Sequence, residues 1–543
     1  MITWLIFLQL LSLGIFIAAA MDWEWPPEHL RNLSTYILAY KGSGKSTLLS
    51  KMICVPDLLK GRPQIIIDGV GGLISLILGA VTRMPPEIRR QVLARLAYFD
   101  MSGKLTGHVL PSPVFYQLGR ESVNTMVARY EDLVISLDSH MRQAPILGAN
   151  QFLALDKINR IVAASGWQLT EARLLLDHKP KDFKRHLQAL KAQTDERVLC
   201  EDIDWYLQTF SSWDPKKRSQ DTMTYRRKLD QLLRDNASVG MLGAEDTGFL
   251  QKAEQGGYTV ILDFSGLQQD RQLQRFMMNL WVDKALNFVK QRIEDLGPGL
   301  HLKPYGIVID ELAMLQNMDA NSGSEVDSLT VKIGELLDQV GRQGMVHFCA
   351  ANQEMHQISP ALFKTLMGAG IVACGKTSDW DAAEYMANHF FPPQPGRPKR
   401  YEANYRPDDT IRDYRSVDMS MDEQVKKAAD LFMSRVGKFQ FLVKEYGHPV
   451  PYVLDISEYE PGIYPDAERV KDLKMMLSEW WGTSVQDLLQ EIDHRHQQIM
   501  APDQPLAIKK NQPGNATLNG DGRTDHLPAE TAAEEEDYYQ LYE

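Results

Sequence analysis

One stretch of the sequence, Leu33–Leu49, restricts the fold of this chain more than any other. Its letters, LSTYILAYKGSGKSTLL, predict a buried strand, a glycine-containing loop and the start of a helix. Ala39–Ser46 matches the P-loop pattern G-x-x-x-x-G-K-[ST], except that Ala39 stands at the first glycine position. The alternative interpretation is a glycine turn that precedes a helix by chance.

The P-loop interpretation predicts a site for the phosphates of ATP. The backbone N–H groups of such a loop and the N-terminus of its helix both favour a bound anion. Lys45 is predicted to reach the β- and γ-phosphates, and Ser46 to bind Mg²⁺. The predicted nucleotide-binding residues are Ala39, Tyr40, Lys41, Gly42, Ser43, Gly44, Lys45, Ser46 and Thr47.

A second motif, YGIVIDELAML at Tyr305–Leu315, supplies the carboxylates that this chemistry needs. Asp310 is predicted to bind the magnesium ion through water, and Glu311 to orient or deprotonate the attacking water. The alternative is that the acidic pair only caps the following helix, where carboxylates are also favoured. Because a P-loop is present in the same chain, we interpret the motif as a Walker B strand.

The composition is that of an ordinary globular protein, with 44% hydrophobic and 24% charged residues. The net charge of −12 excludes a generally basic surface, so any contact with nucleic acid has to be local. From Ala501 onward, three Lys or Arg residues stand against nine Asp or Glu residues, which leaves the rest of the chain only mildly acidic. The four cysteines are widely separated, which suits a reducing compartment.

The first twenty residues allow three interpretations. Trp4–Ala20 is uncharged, mostly apolar and just long enough to span a bilayer as a helix. A signal peptide is the second interpretation, although its basic n-region is missing. The third is that translation starts at Met21. The first interpretation predicts membrane contact through residues 3–20, with a single pass in the inner (cytoplasmic) membrane and the ATPase domain in the cytoplasm. The alternative localisation is cytoplasmic.

Short apolar strands that alternate with helices predict an α/β fold with a parallel central sheet. Strands are predicted at Ile65–Asp68, Leu96–Phe99, Tyr258–Phe264, Met345–Ala350, Gly370–Cys374 and Lys438–Gly447, with Tyr452–Leu454 beside the last. The predicted domains are a transmembrane helix at 1–20, a linker at 21–32, a nucleotide-binding domain at 33–105 and 257–460, an all-helical insertion at 106–256, C-terminal helices at 461–500 and a disordered acidic tail at 501–543.

Three segments are candidates for contact with a nucleic acid. Two of them, Lys179–Lys191 and Lys216–Lys228, are basic and lie in the helical insertion. Solvated helix faces are the alternative for both. The third is Asn317–Asp327, a loop rich in Asp, Ser and Gly, which is a candidate pore loop. Phe391–Tyr401 is predicted to be a proline-rich basic loop.

Together these motifs resemble those of the FtsK/HerA superfamily of DNA-pumping ATPases, and within it the TraG/TraD-like coupling proteins of conjugation and type IV secretion. The P-loop is followed by IIIDGVGGL at Ile65–Leu73, and a helical insertion then precedes YTVILDFSG, as in coupling proteins. The resemblance implies a RecA-like fold, ATP and Mg²⁺ as cofactors, and a homo-oligomeric ring that is predicted to be a hexamer.

The most discriminating part of the resemblance is an arginine before a strand that ends in glutamine. Arg342-x-Gly344 precedes the strand that leads to Gln353. The resemblance implies that Gln353 senses the γ-phosphate and that Arg342 is an arginine finger reaching into the site of a neighbouring subunit. The alternatives are a strand-end amide bonded to backbone groups and a surface arginine at a helix end.

The sequence therefore predicts a magnesium-dependent ATPase that moves DNA, or a DNA–protein complex, through a ring at a membrane. Its DNA contacts would be sequence-independent, because they are made to phosphates. Further predicted partners are the components of a type IV secretion or conjugation system. One alternative is an ATPase for channel assembly or protein export that does not bind DNA. Another is a non-hydrolysing nucleotide-binding scaffold. Glu311 is evidence against it, because a site that only binds nucleotide has no need of a water-positioning carboxylate.

Overall fold

The computed structural model describes residues 25–27, 30, 33–116, 121–137, 149–298, 302–316, 328–405, 411–448, 450–457 and 466–500. Three predicted features lie outside these residues, namely the apolar segment Trp4–Ala20, the candidate pore loop Asn317–Asp327 and the tail from Ala501. Within the described ranges, no helix combines the length and the apolar character needed to cross a bilayer.

A nine-stranded sheet is the centre of the described structure, in the order β12-β11-β8-β1-β7-β6-β2-β5-β3. Seven of these strands, from β8 to β3, run parallel, while β11 and β12 are antiparallel at one edge. The strands are β1 Thr35–Leu38, β2 Gln64–Asp68, β3 Leu96–Asp100, β4 His108–Val109, β5 Thr259–Asp263, β6 Tyr305–Asp310, β7 Val346–Asn352, β8 Ile371–Cys374, β9 Pro398–Tyr405, β10 Ile411–Asp418, β11 Gln440–Glu445, β12 Tyr452–Asp455 and β13 Thr483–Ser484.

The central strands are buried along their whole length and mostly apolar, because helices cover both faces of the sheet. In β2, Ile65 and Ile67 enter the core on one face, while Ile66 enters the core on the other. The helices are Lys45–Leu48, Val55–Lys60, Gly72–Thr82, Pro86–Leu93, Val123–Leu137, Ala149–Ala164, Leu169–Asp177, Lys184–Gln193, Arg197–Asp204, Pro215–Leu232, Asn236–Gly243, Phe249–Gly256, Arg271–Leu296, Ser328–Leu337, Gln339–Gln343, Pro360–Leu366, Trp380–Phe390, Met421–Asp430, Ala467–Trp481 and Val485–Met500.

The observed order of strands confirms the predicted α/β class, and the sheet fits a RecA-like fold. One strand, β7, lies between the P-loop strand β1 and the strand β6 that ends in Asp310. Since β1, β7 and β6 are parallel, their carboxyl ends meet at one edge, where ligands bind in open α/β sheets. The fold therefore brings the P-loop, Asp310 and the end of β7 together.

Two parts of the predicted secondary structure were wrong in detail. The predicted all-helical insertion contains the short strand β4, which pairs with β13 between the two C-terminal helices. The predicted loop Phe391–Tyr401 ends in strand β9, which pairs with β10 as a separate hairpin. Proline is tolerated at the first position of a strand, so Pro398 does not prevent this pairing. The pairing itself depends on a partner strand that local composition does not reveal.

Candidate functional site

The P-loop joins β1 to a helix that continues through a π-helical turn at Leu49–Cys54. Gly42 and Gly44 have φ angles of 83° and 105°, a region that L side chains rarely adopt. Gly44 is the residue immediately before the helix Lys45–Leu48. The two glycines of the motif therefore allow the chain to turn sharply from the strand into the helix, and the first helical N–H groups lie at the carboxyl edge of the sheet.

Ala39 replaces the first glycine of the motif without backbone strain. It is not among the residues with positive φ, and its N–H donates to the Asn352 carbonyl at 3.2 Å. Its methyl group lies opposite Gly375, where an added Cβ would come within 2.7 Å of the Ala39 Cβ. Gly375, which directly follows β8, thus provides the space that the alanine needs.

Five predicted residues from three strand ends meet beside the P-loop. Ser46 Oγ donates a hydrogen bond to Asp310 Oδ2 at 2.9 Å. Gln353 Nε2 donates to Glu311 Oε2 at 2.7 Å, and Lys45 Nζ lies 3.8 Å from the same oxygen. A lysine, a hydroxyl, two carboxylates and an amide thus meet at one site, and these are groups that nucleotide hydrolysis uses.

The structure does not show Glu311 acting as a helix cap, which was the alternative interpretation of Asp310 and Glu311. Glu311 precedes the 3₁₀ turn Leu312–Leu315, but its side chain makes no capping hydrogen bond. Its φ of 64° lies in the left-handed region, which is uncommon for a residue other than glycine. This conformation places the carboxylate between Lys45 and Gln353 instead of over the following turn. Strained residues of this kind cluster at functional sites.

Two buried carboxyl groups lie next to each other where β2 and β6 end. Asp68 pairs in register with Asp310, and burial and then the charge of Asp310 raise the pKa of Asp68 to about 6. Burial also raises the pKa of Asp310, although the charge of Lys45 and the Ser46 hydrogen bond oppose this. The second oxygen of Asp310, Oδ1, is buried and makes no hydrogen bond. A divalent cation would satisfy this oxygen, so the residues fit a magnesium ion.

The structure does not bring Arg342 to the site. Arg342 is exposed in the short helix Gln339–Gln343, which precedes β7, whereas Gln353 follows that strand. A seven-residue strand is roughly 20 Å long, so Arg342 lies at the opposite edge of the sheet. A role in hydrolysis would therefore require the site of another subunit.

The remaining predicted nucleotide contacts differ in exposure. Tyr40 and Lys41 are exposed at the tip of the loop, while Ser43 and Thr47 are buried. Ser43 donates its hydroxyl to the Tyr40 carbonyl at 2.5 Å, which tightens the turn.

Sequence reasoning gave no role to Asp68, although β2 ends in aspartate as β6 does. It also missed Phe439, whose backbone N–H donates to the Ser43 carbonyl at 2.9 Å. Nothing in the local sequence around Phe439 indicates that contact.

Many cations of the two basic segments have partners within the insertion. Arg226 bonds with Asp177, Lys191 pairs with Asp204 at 2.6 Å, and Lys228 is buried. Exposed basic side chains of these segments include Lys181, Lys184, Lys216 and Arg227. The basic surface is thus smaller than the sequence predicts.

No protein-family model matches this sequence, and no curated protein sequence matches it. Solved structures are matched at low identity. The plasmid coupling protein TrwB in complex with ADP and Mg²⁺ is 14% identical with a TM-score of 0.46, over 82% of this chain and 89% of that one. VirB4 of Thermoanaerobacter pseudethanolicus is 13% identical with a TM-score of 0.42, over 79% of this chain and 90% of that one. This chain is similar in structure to a plasmid coupling protein and to VirB4.

Proposed function

We propose that this protein is a magnesium-dependent ATPase that moves DNA, or a DNA–protein complex, through a ring of its own subunits. The observation that carries the ATPase proposal is the buried cluster at the P-loop. Lys45, Ser46 and Asp310 provide for phosphates and a cation, and Glu311 lies beside them with its carboxylate fixed by Gln353. A site that only binds nucleotide has no need of such a water-positioning carboxylate.

Each side chain has one proposed task. Lys45 binds the β- and γ-phosphates, and Ser46 and Asp310 would hold a magnesium ion, which would supply positive charge to the transferring phosphoryl group. Glu311 orients the attacking water and accepts its proton. Gln353 bonds with Glu311, so movement of Gln353 toward a γ-phosphate would release the carboxylate for that task.

The exposed position of Arg342 supports the proposal of a ring. Because Arg342 lies at the edge of the sheet opposite the P-loop, it can stabilise the developing charge only in a neighbouring subunit. We also propose that DNA binds through exposed cations of the insertion, and that residues 3–20 attach the chain to a membrane. The TraG/TraD-like motifs of the sequence support these parts of the proposal.

The experiment is ATP hydrolysis by the full chain, with and without single- and double-stranded DNA at low salt. Lys45→Ala is the inactive reference, because it removes the phosphate-binding ammonium. Lys60→Ala is the matched control, because Lys60 is exposed at the far end of the same helical run. We expect DNA to raise the rate of ATP hydrolysis in the wild type and in Lys60→Ala but not in Lys45→Ala. Added salt should weaken this stimulation by DNA.

Two results would contradict parts of this proposal. Hydrolysis that DNA does not stimulate would favour protein export or channel assembly. Bound nucleotide without hydrolysis in the assembled protein would favour the scaffold.

A further inference from the structure

The P-loop is contacted by a segment more than 390 residues further along the chain. Gly437–Gln440, which we call the P-loop clamp, leads into β11. The backbone N–H of Phe439 donates to the Ser43 carbonyl at 2.9 Å. The Phe439 ring lies against Gly44, where an added Cβ would stand 2.4 Å from ring atom Cδ1. The clamp thus contacts both ends of one peptide unit of the loop.

That peptide unit has a fixed internal geometry. The Ser43 carbonyl and the Gly44 N–H belong to the same planar unit, and in a trans unit they point in opposite directions. The bond between Ser43 and Gly44 is trans. A hydrogen bond that holds the Ser43 carbonyl toward Phe439 therefore turns the Gly44 N–H away from Phe439, toward the other side of the loop.

The clamp is itself held firmly. Gly437 N–H donates to Gln440 Oε1 at 3.0 Å, and the Phe439 carbonyl accepts from Ile456 N–H at 2.9 Å. The Gln440 side chain also donates to Asp455 on β12 at 2.8 Å. These bonds keep Phe439 at a φ of 63°, a conformation that a residue other than glycine adopts only when its surroundings impose it.

We propose that Phe439 is a positioning residue of the nucleotide site, and this inference rests on the proposed function. Its N–H holds the Ser43 carbonyl outward, and its ring keeps Gly44 in place. The Gly44 amide is then preorganised as a donor to the phosphates of a nucleoside triphosphate. Phe439 touches neither the phosphates nor the water, and acts through the loop.

The test uses Phe439→Ala, Phe439→Gly and Phe439→Leu in the full chain, with a fluorescent ATP analogue and Mg²⁺ as the probe. Loss of the ring removes the contact that holds Gly44, while the backbone bond to Ser43 remains, so we expect the dissociation constant to rise by up to about tenfold in the Ala and Gly variants, the size of one charge-assisted hydrogen bond. Leucine still covers Gly44, and we expect it to be intermediate. Because phosphate amides bind ground and transition states alike, KM should rise with little change in kcat.

The glycine variant separates positioning from stability. Glycine adopts positive φ freely, so Phe439→Gly should unfold at a higher temperature than Phe439→Ala. If Phe439 had only a structural role, nucleotide affinity would follow this order of stability. Equal loss of affinity in both variants supports positioning, and wild-type affinity in Phe439→Gly overturns it.

Two references complete the experiment. Leu454→Ala removes a buried side chain from β12, which pairs with β11, and should lower stability without changing affinity. Lys45→Ala separates this inference from the proposed function. If the wild type binds the analogue no better than Lys45→Ala does, the proposed function fails. If the wild type binds and the Phe439 variants bind equally well, only the inference fails.

Discussion

The carboxyl edge of the sheet has two halves, and the strands of both halves end in the same residue type, aspartate. Four adjacent strands, β3, β5, β2 and β6, end in aspartate at the same level of the register, at Asp100, Asp263, Asp68 and Asp310. In the half away from the P-loop, Asp100 accepts bonds from Ser102 and Leu105, and Asp263 accepts bonds from Tyr98, Ser265 and Lys474. At the P-loop, Asp310 accepts one side-chain bond and leaves Oδ1 without a partner.

The difference separates carboxylates whose oxygens the protein itself satisfies from a carboxylate that keeps one buried oxygen without a partner. Residue type, burial and register are shared by both halves, so none of them identifies the site. Buried polar atoms are normally bonded, and the exceptions require an explanation. Asp263 is satisfied by the protein, notably by Lys474 Nζ at 2.7 Å and Tyr98 Oη at 2.9 Å, and therefore stabilises it. Asp310 keeps one buried oxygen without a protein partner, and the proposed magnesium ion would bind there.

The largest contrast is expected between Asp310→Asn and Asp263→Asn. Asp310→Asn should weaken magnesium-dependent nucleotide binding or turnover about 10–100-fold, as for other groups that hold a metal through water. Its thermal stability should stay equal or rise, because repulsion of Asp68 is removed. Asp263→Asn should instead lower the free energy of unfolding by about 3 kcal/mol, because the amide leaves the Lys474 ammonium unpaired.

The measurements are nucleotide titration with and without Mg²⁺, and thermal unfolding of both variants in the absence of ligand. Asp263→Asn controls for the loss of one carboxylate from the same sheet edge. The comparison breaks if Asp310→Asn is the less stable variant, or if Asp263→Asn loses the magnesium dependence.

A smaller effect is expected in the pH dependence of stability. The folded pKa of Asp68 is raised from 3.8 to about 6, so the folded state binds the proton more tightly than the unfolded state does. Its contribution to the free energy of unfolding therefore falls as the pH rises from about 4 to about 6, and stays low above that range. In Asp310→Asn the repulsion that raises this pKa is absent, so the slope should be shallower.

The pH dependence is checked by measuring the unfolding midpoints of the wild type and Asp310→Asn between pH 5 and pH 7.5, without nucleotide or magnesium. We expect the stability advantage of Asp310→Asn to be largest at pH 7 and to shrink toward pH 5. Parallel curves for the two proteins would contradict a charge interaction between Asp68 and Asp310.

The smallest effect is expected for Tyr98→Phe in the satisfied half. The change removes one hydrogen bond to Asp263, while Lys474 and Ser265 still bond to that carboxylate. The free energy of unfolding should fall by about 1 kcal/mol. Nucleotide affinity and turnover should not change, and thermal unfolding with a parallel hydrolysis assay measures both. A large loss of turnover would show that the two halves of the edge are coupled.

The sequence by itself determined the elements that depend on neighbouring residues. Gly42 and Gly44 give the loop its turns, Lys45 and Ser46 follow them at a fixed spacing, and the apolar run before Asp310 makes a buried strand. Such signals are local, because backbone conformation and the alternation of apolar residues are set over a few positions. The parallel α/β class followed from the same short-range patterns.

Only the tertiary structure decided which side chains meet. Gln353 bonds with Glu311, Lys474 bonds with Asp263, and Phe439 reaches Ser43 across 396 positions of the chain. These pairings depend on strand order and on how helices pack over the sheet, which no local spacing specifies. The same physical reason explains why similar strand ends gave satisfied carboxylates at Asp100 and Asp263 but left one oxygen of Asp310 without a partner.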